Sequence, residues 1–195
     1  MSSADLSAPL RQGAVLSAGH PLIGAKSFGT MLKAMAKENW ARAADDVIRS
    51  RSLFSVGEDA GLYLADFGGV AAKITEREEA FMSRLVQRIP VVGAVTRASE
   101  RAYITFLNKL RADVFDSVVR GWQRGGKQST PEDFRKLARF VNWATGRGPT
   151  LGGDAAAVLN ATFFAPRLVT SRALLPTTLL TSTPLVRREA ARSLA

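Results

Sequence analysis

A chain of 195 residues with 46% hydrophobic content is long enough to bury one core. With no cysteine and a single histidine, His20, it excludes disulfides, thiolate chemistry and any site that needs two imidazoles. The formal charge of +10 is uneven: residues 1–96 carry 11 Lys and Arg against 10 Asp and Glu, residues 97–195 carry 16 against 7, and 20 of the 27 basic residues are Arg, the side chain best shaped for bidentate contact with phosphate.

Residues 1–20 are rich in Ser, Ala and Gly and read as an extended arm. Asp5 and the lack of a continuous apolar run argue against a secretory signal. From Pro21, Leu22, Phe28, Met31, Leu32 and Met35 recur at helical spacing opposite Lys26, Lys33 and Lys37. Asn39 then suits the N-cap of a short helix carrying Trp40, Ala44, Val47 and Ile48. Residues 50–73 hold four glycines and follow no period, which predicts an irregular connector. It is either an ordinary loop packed by Leu62, Leu64 and Phe67 or an arm that docks on a neighbouring subunit.

Thr75 and Glu78 have capping-box spacing for a helix over 76–89 that Pro90 ends, with VVGAV as a short connection to the next. The clearest signal follows in Ser99–Trp122, where Tyr103, Phe106, Leu107, Leu110, Val114, Phe115, Val118 and Trp122 form an apolar stripe. Arg101, Lys109, Arg111, Asp116 and Arg120 fall between them. The two helices are expected to pack as an antiparallel pair. Thr130, Pro131 and Asp133 open another helix through Phe134, Leu137, Ala138, Val141 and Ala144, and Gly146 suits its left-handed C-terminus.

Asp154 can cap a further helix that Pro166 interrupts; a short apolar segment ends at Pro176, and Thr183 with Pro184 repeats the cap-plus-proline start. The fold class predicted is all-α, an irregular bundle of about 6–8 helices with an extended N-terminal arm and Gly-rich loops. Its segments are 1–73 (arm and short helices), 74–148 (a central core around the 99–122 helix) and 149–195 (a basic helical end).

Chemistry is harder to find. The glycine cluster at 145–153 follows a helix and lacks the lysine and hydroxyl of a phosphate loop. His20 has no nucleophile elbow beside it. The carboxylate pairs Glu78 with Glu79, Asp45 with Asp46 and Glu132 with Asp133 are adjacent, so they diverge on a helix. The expectation is no enzyme, no catalytic residue, no cofactor and no metal. What remains is electrostatic: Arg135, Lys136, Arg139, Arg147, Arg167, Arg172, Arg187 and Arg188 are candidate nucleic-acid contacts, and Trp143, Phe163 and Phe164 are available either to stack on bases or to fill the core.

The ordered pieces SERAY, FLNKLRADVFD, FVNWATGRG and FFAPRL resemble a helical region of very large tailed-phage and prophage proteins, the large polyvalent protein-associated domain. The motif positions are Ser99, Glu100, Arg101, Tyr103, Asn108, Lys109, Arg111, Asp113, Asn142, Thr145, Gly146, Arg147, Gly148, Asn160, Phe163, Phe164, Pro166 and Arg167. The resemblance covers most of the chain, although the family region typically continues further, so a fragment or split gene product is one expectation. It implies a non-enzymatic module of an internal or ejected virion protein, placed in the virion interior or, after delivery, the host cytoplasm. Partners would be other phage virion proteins or further copies of itself, and DNA through the basic half. The alternatives are a nucleic-acid-binding accessory protein of the infected cell and a membrane-active segment of an ejection protein.

Overall fold

The computed structural model describes residues 7–66, 90–149 and 166–194. Their regular structure is all helix with no strand: α1 (Ser7–Gly19), α2 (Pro21–Ala36), α3 (Glu38–Arg49), α4 (Phe54–Asp59), α5 (Pro90–Arg124), α6 (Pro131–Ala144), α7 (Pro166–Leu174) and α8 (Pro184–Leu194). A 3-10 turn at Leu175–Thr177 and one α-helical turn at Thr178–Thr181 lead into α8. None of the described helices is long and apolar enough to cross a membrane.

The spine is longer than its apolar stripe. α5 has 35 described residues, roughly 50 Å, running from Pro90, and a proline is tolerated in a first helical turn because it loses no hydrogen bond it would otherwise make there. VVGAV therefore belongs to the helix and is not a connection, while the expected stop of a preceding helix at Pro90 involves residues outside the described ones. The expected helix over 76–89, its cap and its pairing with the spine lie outside the described residues.

α2 packs along α5, with α3, α1 and α6 around it. One apolar cluster joins Leu16, Met31, Leu62, Phe106, Leu110, Val114, Phe115, Leu137, Phe140, Val141, Leu175, Val186 and Ala190, so both ends of the chain meet the same core. This crowding explains a departure from simple amphipathicity. Between Ala102 and Val119, α5 buries Thr105, Asn108, Arg111 and Ala112 as well as its leucines and phenylalanines; Arg111 is an inward residue and not part of a solvated face.

Residues 7–19 are helical where an arm was expected. Gly13 is the reason: a Cβ there would stand 2.6 Å from the Phe106 ring, so this glycine permits close helix packing and does not mark a loop. Residues 54–59 are likewise helical inside the expected connector. Lys37 in extended conformation precedes α3, no side chain caps it, and Asn39 lies within the helix. Its inner side is Ala41 and Ile48, while Trp40 and Val47 are exposed, Trp40 beneath the Lys33 ammonium at 5.1 Å. On α2, Met31 is buried and Phe28 and Met35 pack on the core, but Leu22 and Leu32 face out.

α6 is as expected. The Thr130 hydroxyl accepts from the Asp133 amide at 3.3 Å and the Asp133 carboxylate accepts from the Thr130 amide at 2.8 Å. At its other end Gly146 has φ +79°, with Gly146 N–H donating to the Trp143 carbonyl at 3.0 Å and Arg147 N–H to that of Asn142 at 2.8 Å. That is a Schellman termination.

Candidate nucleic-acid interface

The segment Gly61–Asp66 leaves α4 without forming a helix, so its backbone groups need partners from elsewhere. Asn142 of α6 receives the Tyr63 amide on Oδ1 at 2.9 Å and donates Nδ2 to the Gly61 carbonyl at 2.9 Å. Asn108 of α5 treats Ala65 the same way, at 2.9 and 2.7 Å. Between them Arg111 donates Nε to the Thr145 hydroxyl at 2.7 Å, with longer contacts from Nη1 to the Tyr63 carbonyl (3.4 Å) and from Nη2 to the Thr145 carbonyl (3.5 Å). Burial pushes the Arg111 pKa down to about 10, with Arg147 adding to the fall and Tyr103 and Tyr63 opposing it, so Arg111 remains a cation at neutral pH.

Six positions of the resemblance, Asn108, Arg111, Asn142, Thr145, Gly146 and Arg147, thus build one polar clamp. The others do different work or fall outside it. Arg101 donates to the Ala34 and Met35 carbonyls at 2.8 and 3.2 Å, closing the C-terminus of α2. Lys109 pairs with Asp113 at 2.8 Å, and Arg51 bridges Asp113 at 2.6 Å and Asp116 at 3.3 Å. Tyr103 packs on the core, the Ser99 hydroxyl is buried without a hydrogen bond, Glu100 is exposed, Gly148 is buried and Pro166 opens α7. Asn160, Phe163 and Phe164 lie outside the described residues, as does the Arg167 side chain.

Above the clamp is a groove of about 270 Å³. One wall is Ala60 and Gly61, the other is Arg135, Arg139, Asn142 and Trp143, and Arg147 with Gly148 and Pro149 closes the end. The α6 positions 135, 139, 142 and 143 fall on one helix face by their spacing of four, three and one. The Arg147 guanidinium lies 3.6 Å from the centroid of Tyr63, whose ring also sits 5.3 Å from that of Arg111. Arg135 and Arg139 are exposed and have no hydrogen-bond or ion-pair partner among the described residues. Among the described residues, three guanidinium groups and one indole line the groove, and no carboxylate does.

The remaining basic candidates with described side chains do not join them. Lys136 donates to the Thr181 carbonyl at 2.9 Å and Arg172 to that of Arg11 at 2.7 Å, where burial lowers the Arg172 pKa. Arg187 and Arg188 are exposed on α8, outside the groove. A second groove, about 660 Å³ between α2 and the second half of α5, contains Arg51, Asp113 and Asp116 among its lining, and there the acids are already paired. Among the described residues no three His, Asp or Glu side chains cluster as metal ligands do. His20 is buried against Glu189, Nε2 to Oε1 at 2.6 Å, and the Ser193 hydroxyl reaches the same oxygen at 3.3 Å rather than the imidazole.

Sequence reading named the three groove arginines and Trp143 but had no means of placing Gly61 and Tyr63 opposite them. One clue to the clamp was present: Asn108 and Arg111 share an arc of α5 with Phe115, at spacings of three and four, so two polar residues stand in line with an inward one. Comparison with protein-family models, curated proteins and solved structures yields no match.

Proposed function

We propose that the chain is a non-enzymatic helical module of a phage virion-associated polyvalent protein, assembling with other virion proteins or its own copies and contacting nucleic acid through the α6 groove. The phage context rests on the motif resemblance. The nucleic-acid reading rests on one observation, that Arg135, Arg139 and Arg147 converge with Trp143 in a groove that has no acid among its described lining residues. Phosphate binding needs cations on a common face and no further chemistry.

The binding test is fluorescence anisotropy with labelled DNA over a salt series. The double substitution Arg135→Ala with Arg139→Ala is expected to leave the fold intact, since both are exposed, and to reduce the slope of log affinity against log salt by roughly two. An unchanged slope would sink the groove reading. The virion reading has its own test in mass spectrometry of particles before and after osmotic shock. Peptides of this chain should be present and leave with the DNA; if they occur only in infected cells, the accessory-protein alternative replaces it.

A further inference from the structure

We infer that the α6 groove takes a single-stranded polynucleotide, one nucleotide seated in the concavity, and does so without regard to base sequence; the inference rests on the groove being the nucleic-acid contact. A space of about 270 Å³ holds roughly one nucleotide, whereas a duplex presents a convex ridge of phosphates with its bases turned inward. A duplex could touch the rim arginines but could not bring a base to the indole. Trp143 lines the groove while the rest of its side chain packs against the core cluster, so its exposed surface is held in a fixed orientation. A fixed indole beside guanidinium groups supplies a stacking surface and phosphate partners in one place, which is the combination single-strand binders use.

Sequence tolerance follows from Asn142. It is the one groove residue with the amide that reads adenine edges, and both ends of that amide are engaged by the Tyr63 and Gly61 backbone at 2.9 Å. Exposed Arg135 and Arg139 and the indole supply the remaining contacts, and an aromatic face stacks on any base.

The test uses the full chain and two labelled probes of equal length, oligo-dT and a blunt DNA duplex, in 100 mM salt. Oligo-dT should bind at least ~10-fold more tightly, and Trp143→Leu should remove ~10-fold of that affinity while leaving duplex binding unchanged. Because Trp143 contributes to packing, a second readout avoids the variant: in a Trp40→Phe background the remaining tryptophans are the buried Trp122 and Trp143, and oligo-dT should quench their emission where duplex does not. Equal affinity for both probes, both lost in the Arg135→Ala, Arg139→Ala protein, overturns the single-strand inference and leaves the basic groove standing. Competition by polyglutamate as effective as by oligo-dT overturns it in favour of a generic acidic partner. No binding of either probe overturns both readings.

Discussion

Asn142 and Arg111 hold the same stretch of backbone, yet they differ in what their loss should do. Asn142→Leu strands the half-buried Tyr63 amide, while the exposed Gly61 carbonyl can turn to water; the expected loss is about 1–2 kcal/mol of unfolding free energy, read by urea denaturation. Arg111→Met removes one firm hydrogen bond, but it also removes a cation that burial disfavours, and Thr145 keeps its own bond to the Val141 carbonyl at 2.9 Å. Burying a charge is expensive enough that a hydrophobic replacement is often neutral, so Arg111→Met should change stability by less than about 1 kcal/mol. A larger loss for Arg111 than for Asn142 would mean that the guanidinium, and not the amides, organises the clamp. Neither role was legible beforehand. Asn108, Arg111 and Asn142 could be named as motif positions, but the partners of the two amides belong to 61–66, a stretch with no periodicity, and Arg111 reaches Thr145 across 34 positions, so only the fold brings them within reach.

Helix ends were far more legible than helix faces. Thr130, Asp133 and Gly146 act within a few residues of themselves, so sequence spacing alone predicts both termini of α6. Thr130→Ala should cost about 1 kcal/mol. Residues whose meaning depends on a distant neighbour misled in a consistent direction. Gly13 read as part of an arm because the Phe106 ring that requires it lies 93 positions away, and the inward setting of Arg111 depends on Thr145 and Tyr63, 34 and 48 positions off. Gly13→Ala gains helix propensity of up to about 1 kcal/mol, but its Cβ would stand 2.6 and 2.7 Å from two carbons of the Phe106 ring, which is flanked by core and cannot swing clear. Overpacking of this kind commonly costs about 1–3 kcal/mol. The net effect should therefore be destabilising, a lowered Tm in a thermal melt, and a raised Tm would show that α1 can slide away from α5.

At the scale of the molecule, the chain ends are tied together. His20, between α1 and α2, and Glu189, in α8, are separated by 169 residues and meet at 2.6 Å. Gly19 lets this junction approach, with the Ser193 Cα 2.9 Å from where a Cβ would stand. Val186 and Ala190 of α8 belong to the same apolar cluster as Leu16 of α1 and Leu137 of α6. α8 is therefore part of the core that supports the groove helix, and the basic end of the chain is not a detachable tail. Glu189→Ala leaves the His20 ring facing an empty acceptor and should lower the unfolding free energy by about 2 kcal/mol. The informative part is the shape of the transition. If α8 shares the core's cooperativity, circular dichroism and the emission of buried Trp122 shift together to lower denaturant, with the slope unchanged. If α8 were held only by its His20–Glu189 contact, ellipticity would fall first and Trp122 would report an unaltered core. Coincident curves also predict that oligonucleotide binding to the distant Arg135–Arg139 face is lost only where the whole protein unfolds, since nothing holding α6 could then melt ahead of it.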